Sequence, residues 1–140
     1  MAIGKPLSEP LGGVTFEIPF KLPSLNEYVL ACRTNRYRGS KMKRDIEDAI
    51  GYYIGRVPRF ETPVRLSFTW VEDSKRRDLD NVAFSKKFIL DALVKFGKLP
   101  NDNQDYVKGF TDSFRRDKQA KVIVTIREEK EHDGEKDKET

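Results

Sequence analysis

The sequence contains almost no cysteine or histidine. Its 140 residues include one cysteine, Cys32, and one histidine, His132, which lies in the charged segment KEHDGEKDKET. A single cysteine excludes an internal disulfide and a cysteine-rich zinc site. A lone histidine in such a segment argues against a Ser-His-Asp triad and against a histidine-ligated zinc centre. If the chain is an enzyme, its chemistry must come from carboxylates, lysines or a hard metal ion.

Long apolar runs are also missing. No apolar stretch approaches the roughly 18 residues of a membrane span, and the N-terminus has no apolar signal core. Together with the single cysteine, this predicts a cytoplasmic protein with no membrane partner.

Charge is abundant and unevenly distributed. The chain has 27 Lys and Arg against 23 Asp and Glu, a net charge of +4. Residues 127–140 hold four of the cations and seven of the acids, so the remaining chain has 23 cations and 16 acids, a net charge of +7. A basic body with an acidic tail predicts a polyanionic partner, with nucleic acid favoured over a membrane surface. The alternative is that the charge serves only solubility.

Alternating apolar residues predict four strands. The first two cover Val14–Phe20 and Val64–Trp70. The last two cover about Tyr106–Phe114 and Lys121–Arg127, joined as a hairpin through RRDKQ. Pro19 marks an edge strand or the end of the first strand, because proline cannot donate a hydrogen bond to a neighbouring strand.

Helical spacing predicts two helices, at about Ser40–Ile54 and Asp80–Phe96, with Gly97 as the C-terminal cap of the second. The segment PSLNEY is interpreted as a turn. The predicted fold class is α+β: a small mixed sheet with about two helices on one face, in the order β-α-β-α-β-β. Residues 1–13 and 129–140 are predicted to be disordered.

The segment KRRDLDN, residues 75–81, lies where the second strand gives way to the second helix. Alternation in an extended segment would place Asp78 and Asp80 on the same side. Two such carboxylates within about 7 Å repel each other unless a cation lies between them, and oxygen ligands suit Mg²⁺. The alternative is that Asp80 caps the helix and Asp78 pairs with an arginine.

Two further residues extend this candidate site. In a helix that begins at Asp80, Lys87 would share a face with Asp80 and could contact a phosphate oxygen or a leaving group. Its alternative is an ion pair with Asp91, four residues later. Asp102, in the loop NDNQD, offers a third carboxylate, with ordinary turn chemistry as its alternative.

Basic residues are concentrated in two runs. Six lie between Arg33 and Arg44, with Tyr37 among them and Tyr28 just before, and three more precede Asp78. Such runs suit contacts to a phosphate backbone, with tyrosines available for stacking on bases. The alternative is a solvated basic loop. The candidate DNA-binding residues are Arg33, Arg36, Arg38, Lys41, Lys43, Arg44, Lys75, Arg76 and Arg77.

Several motifs resemble those of the RusA-type Holliday junction resolvases of bacteria and their prophages. They are RRDLDN at 76–81, LDAL at 90–93, GKLPND ending at Asp102, and the N-terminal PSLNEY. The resemblance extends from about Phe16 to Ile126 and implies a RusA-like nuclease domain over residues 14–128.

The resemblance implies a homodimeric, Mg²⁺-dependent endodeoxyribonuclease, a hydrolase of DNA recombination and repair that resolves four-way junctions by paired nicks. It gives Asp78, Asp80 and Asp102 catalytic and metal-binding roles and requires a functional lysine after DLDN. The helix between DLDN and LDAL is about three residues longer here than in the family. Counting back from LDAL selects Lys87, and Lys86 is the second choice.

The chain also departs from the family in having Asn101 before Asp102, where two acids often stand. Two other functions stay open. The chain could be a non-catalytic DNA-binding module of prophage origin, or a related metal nuclease that prefers flaps or forks.

Overall fold

A computed structural model describes residues 13–129 as four strands and four helical segments. In chain order these are β1 (Gly13–Ile18), α1 (Leu25–Thr34), α2 (Arg36–Tyr53), β2 (Val64–Glu72), α3 (Leu79–Ala83), α4 (Lys86–Lys95), β3 (Val107–Arg116) and β4 (Lys121–Glu128). The strands form one sheet in the order β1-β4-β2-β3. β4 is antiparallel to β1 and β2, whereas β2 and β3 are parallel. The predicted α+β class with a mixed sheet is confirmed.

One face of the sheet carries the hydrophobic core. Side chains of alternate strand residues, such as Phe16, Phe68 and Val124, are buried there, and they are matched across neighbouring strands. They belong to one cluster with Ile50 of α2 and Ile89 of α4, so the helices pack on this face as predicted. Burial of this alternating set is the main force holding the helices on the sheet.

The first two predicted strands are confirmed with small changes at their ends. β1 stops at Ile18, directly before Pro19, and is an edge strand. β2 continues past Trp70 to Glu72. Both strands were recognisable because each buries one face and alternates strictly.

The predicted hairpin between the last two strands is wrong. β3 and β4 follow one another in the chain, yet β2 lies between them in the sheet. Two alternating segments joined by a turn-rich linker look the same in sequence whether the two strands pair with each other or have a third strand between them. The pattern therefore could not distinguish these two topologies.

The predicted turn at PSLNEY is also wrong, because this segment begins α1. Ser24 forms a capping box: its hydroxyl accepts from the Glu27 N–H at 3.3 Å, and its N–H donates to Glu27 Oε1 at 2.8 Å. The next helix, α2, begins at Arg36 rather than Ser40, since Asn35 accepts from the Arg38 N–H at 2.7 Å. The basic run is therefore largely helical and not a loop.

The predicted helix Asp80–Phe96 is divided into α3 and α4, which gives four helical segments instead of about two. The interruption falls at Phe84 and Ser85. Ser85 is buried, and its hydroxyl donates to the Pro23 carbonyl, which precedes α1. Gly97 has φ of 77°, a left-handed conformation suited to glycine, and it ends α4 as predicted.

The predictions of disorder for 1–13 and 129–140 lie outside the described residues, apart from Gly13, which begins β1, and Glu129. Over the described range, 13–129, none of the helices has the length and apolar character needed to cross a membrane.

Candidate metal and nucleic-acid site

The parallel strands β2 and β3 end at the same edge of the sheet, where Glu72 is matched with Arg116. A pocket of about 420 Å³ opens there, between the loop after β2 and the end of β3. Its lining residues are Glu72, Ser74, Lys75, Arg77, Asp78, Leu79, Phe114, Arg115 and Arg116. The carboxyl ends of parallel strands are a recurrent place for ligand binding in sheets flanked by helices.

Asp78 and Asp80 lie at the start of α3. Asp78 is the N-cap residue, with an extended backbone (φ −68°, ψ 151°), and its side chain makes no capping bond. Asp80 lies in the first helical turn. Both side chains are exposed, and neither makes a side-chain hydrogen bond or ion pair with another residue of 13–129.

The helix begins at Leu79, so the expectation that strand-like alternation aligns Asp78 with Asp80 is wrong. The alternative contacts, a cap from Asp80 and an arginine pair for Asp78, are not found within 13–129 either. With no partner in that range, the two carboxylates are available to bind a ligand.

Arg77 fixes the loop that precedes Asp78. Its guanidinium donates to both carboxylate oxygens of Glu72, at 3.0 and 2.9 Å, and to the Leu22 carbonyl at 2.9 Å. A weaker contact of 3.3 Å reaches Glu27 of α1. Burial opposes the charge of Arg77, but the hydrogen bonds to Glu72, together with the negative charges of Glu72, Glu27 and Asp73, outweigh it and raise the pKa of Arg77. Such a two-point contact gives the loop a defined position.

The pocket lining contains four cations, at positions 75, 77, 115 and 116, against two acids, Glu72 and Asp78. Glu72 is engaged by Arg77, which leaves Lys75, Arg115 and Arg116 as exposed cations beside Asp78. No role was predicted from the sequence for Arg115 and Arg116. In the sequence they are a pair of arginines at the end of a strand. Only the parallel pairing of β2 with β3 shows that they line this pocket.

Lys87 and Asp102 contact each other, an ion pair that was not predicted from the sequence. Lys87 Nζ lies 3.2 Å from Asp102 Oδ2 and 3.0 Å from Asp91 Oδ1. The ion pair with Asp91 is the alternative considered from the sequence. The interruption before α4 removes the continuous helical face that was to align Lys87 with Asp80.

Asp91 lies at the centre of an ion-pair network between α2 and α4. It accepts from Lys87 and also from Lys43 at 3.0 Å, while Lys43 contacts the buried Glu47. Burial of Asp91 alone would raise its pKa, but hydrogen bonds from Lys43 and Lys87 lower the pKa below its ordinary value. The network links α2 to α4, and each of its carboxylates is paired with at least one lysine.

Lys86, the second candidate lysine, has internal partners. Its Nζ lies 2.9 Å from Asp112 Oδ2 and 4.4 Å from the centre of the Phe110 ring. The other oxygen of Asp112 accepts from Trp70 Nε1 at 2.8 Å. The Lys86 side chain is 16% exposed against 56% for Lys87, so Lys87 is the lysine that solvent or a ligand can reach.

The predicted DNA-binding residues of the first basic run lie on helices. Arg33 is in the last turn of α1, and the other five follow along α2. Lys43 belongs to the network described above, and Lys41 pairs with Asp45 at 2.8 Å. Arg36, Arg38 and Arg44 are exposed. Lys75 and Arg76 are exposed on the loop before Asp78.

Within 13–129, no group of three or more histidine, cysteine, aspartate or glutamate side chains is arranged to hold a metal ion. Mg²⁺, however, is often bound by one or two carboxylates, with water and substrate phosphate completing its shell. Asp78 and Asp80 fit that donor set, because both are exposed oxygen ligands and neither side chain has a partner among residues 13–129. Asp102 is already engaged by Lys87.

No protein-family model matches the chain, and no curated protein matches it significantly. The likeness to RusA-type resolvases therefore stays a prediction based on the motifs themselves.

Proposed function

We propose that this protein is a Mg²⁺-dependent endodeoxyribonuclease that nicks branched DNA, with the four-way junction as its preferred substrate. One observation carries the proposal. Asp78 lines a pocket whose exposed cations are Lys75, Arg115 and Arg116, and Asp80 follows it in the first turn of α3. Neither aspartate side chain has a partner within 13–129. Acids that would bind a metal thus adjoin cations that would bind a phosphate.

The acidic and the basic residues have different roles in this proposal. Asp78 and Asp80 would hold Mg²⁺, which when bound lowers the pKa of its water and neutralises charge on a phosphate. Lys75, Arg115 and Arg116 bind the phosphate backbone and orient the scissile phosphodiester. Arg77 acts indirectly, because its contacts with Glu72 fix the loop on which Asp78 stands.

Lys87 supplies positive charge rather than a base. The hydrogen bond to Asp91 raises its pKa, burial opposes that change, and the bond to Asp102 raises the pKa further. The ammonium therefore stays protonated at neutral pH and cannot accept a proton from water. We propose that it stabilises negative charge near Asp102, which remains the third candidate acid.

The choice of a four-way junction comes from the resemblance of RRDLDN, LDAL and GKLPND to RusA-type resolvases. Paired nicks in opposed strands need two active sites in a fixed relation. A two-fold homodimer supplies that relation most simply.

A second candidate function is a non-catalytic DNA-binding module. The ion pair between Asp102 and Lys87 favours it, since this acid already has a partner inside the protein. Both functions predict binding to DNA, so only cleavage separates them.

The test uses labelled four-way junction, flap, fork and linear duplex of the same sequence, each with Mg²⁺ or with a chelator. We expect symmetric nicking of the junction with Mg²⁺ only, giving 5′-phosphate ends that a ligase can seal. Junction binding without cleavage at any Mg²⁺ concentration would establish the module instead. Faster cutting of flaps or forks would keep the nuclease but contradict the junction preference.

A further inference from the structure

The solvent-facing side of α2 carries a regular set of charged and aromatic residues. With 3.6 residues per turn, six side chains fall within an arc of about 100° around the helix axis. They are Tyr37, Lys41, Arg44, Asp45, Asp48 and Tyr52, and all six are exposed. The two tyrosines are 64% and 81% exposed, which is high for large aromatic side chains.

This face is complementary to itself. Its N-terminal half is basic and its C-terminal half is acidic, and the residues are placed symmetrically about a point between Arg44 and Asp45. If two copies of α2 run antiparallel through that point, Arg44 lies opposite Asp45 of the partner subunit. Lys41 then lies opposite Asp48 of the partner subunit. Because the axis is two-fold, each of these two oppositely charged pairs occurs twice in the dimer.

The same alignment places Tyr37 opposite Tyr52 of the partner subunit. Next to Tyr52 is a shallow pocket of about 620 Å³, and this pocket is open to solvent. Its lining residues are Phe20, Asp45, Asp48, Ala49, Tyr52 and Tyr53. An aromatic side chain with a hydroxyl suits a pocket that combines rings and carboxylates, because its ring is apolar and its tip can donate a hydrogen bond.

We propose that α2 packs antiparallel against α2 of a second copy of this chain, about a two-fold axis between Arg44 and Asp45. The occupant of the face is therefore a second copy. The need for two active sites rests on the proposed nuclease function, whereas the interface itself is argued from the charges and rings of α2.

Existing contacts do not prevent this pairing. Lys41 pairs with Asp45 at 2.8 Å, and Asp48 pairs with Lys95 at 3.0 Å, but all four side chains are well exposed. Exposed ion pairs contribute little to stability, so their members can exchange partners when a second helix approaches.

The proposal divides the basic run into two groups. Lys41 and Arg44 contact the second copy, whereas Arg33, Arg36 and Arg38 stay free for the phosphate backbone. If all of these residues served DNA instead, charge reversal at Arg44 would weaken DNA binding and leave association unchanged.

Sedimentation of the full chain without DNA or Mg²⁺ tests the interface separately from the nuclease. We expect a dimer for the wild type. Arg44→Asp places acids opposite acids at both symmetric contacts and should weaken dimerisation by at least about tenfold, because facing like charges are strongly unfavourable. Arg56→Asp, an equal charge change at an exposed site beyond α2, should have no effect.

Compensation makes the test stricter. Arg44→Asp combined with Asp45→Arg restores opposite charges across the axis and should restore the dimer. Chains with Arg44→Asp alone and Asp45→Arg alone should each be weakened but should form a mixed dimer together. A monomeric wild type, an unaffected Arg44→Asp variant, or a double variant as weak as the single one would overturn the proposal. Unchanged circular dichroism confirms that each variant folds.

Discussion

Two sets of carboxylates in this domain differ in what neutralises them. Asp91 and Asp102 receive lysine side chains at 3.0 to 3.2 Å. Asp78 and Asp80 are exposed, and no residue of 13–129 pairs with either side chain. Acids that are paired with lysines, above all Asp91, stabilise the fold, whereas acids without a partner in this range are available to bind a metal.

The largest effect is expected at the unpaired set. Asp78→Asn or Asp80→Asn should reduce junction nicking by at least about 100-fold, the order found when one essential stabilising group is removed. Junction binding should be unchanged or tighter, since a negative charge near DNA is lost. Gel assays of nicking and binding measure both effects. Asp105→Asn, at an exposed loop acid, is the matched control and should cut normally.

Arg77 is expected to matter for stability more than its exposed neighbour. Arg77→Gln leaves Glu72 poorly paired in a largely buried position, and should lower the free energy of unfolding by about 2 to 3 kcal/mol. Arg76→Gln removes an equal charge from an exposed side chain and should change stability by less than about 0.5 kcal/mol. Urea denaturation compares the two. Equal losses would mean that the contacts of Arg77 are not what fixes the loop.

A smaller loss is expected at the paired set. Asp91→Asn keeps the size of the side chain but weakens its bonds to Lys43 and Lys87, and should cost about 1 to 2 kcal/mol of unfolding free energy. Junction nicking by the folded variant should stay within about threefold of the wild type, since Asp91 is assigned no contact with DNA or metal. Loss of nicking without loss of stability would instead give Asp91 a role in cleavage, like Asp78 and Asp80.

The pH dependence gives the smallest effect. The pKa of Asp91 is lowered in the folded state, so its ion pairs stabilise the protein above the ordinary value of 3.8. That contribution is lost as the pH falls through the folded-state pKa. The difference in unfolding free energy between wild type and Asp91→Asn should therefore be largest near neutral pH and shrink below pH 3.8. A difference that does not change with pH would contradict a role for the charge.

Local patterns predicted β1, β2 and the Gly97 cap, because strict alternation and glycine chemistry act over a few residues. They did not predict α1, whose start depends on the capping box of Ser24 rather than on an apolar stripe. The interruption at Ser85 depends on a contact with Pro23, which is distant in sequence.

The candidate site was predicted in part for the same reason. The position of Asp78 and Asp80 at the start of the helix after β2 follows from adjacent residues. The pairing of Lys87 with Asp91 was recognisable from four-residue helical spacing. Arg115 and Arg116 enter the pocket only through the parallel register of β2 and β3, which has no local signal.

Metal binding tests the central distinction between the two sets most directly. Mn²⁺, which prefers the same oxygen ligands as Mg²⁺, can be titrated into the full chain and the free ion followed by electron paramagnetic resonance. We predict that Asp78→Asn combined with Asp80→Asn weakens binding by at least about tenfold, while Asp91→Asn binds like the wild type. Unchanged binding in the double variant, or loss of binding only in Asp91→Asn, would contradict this assignment.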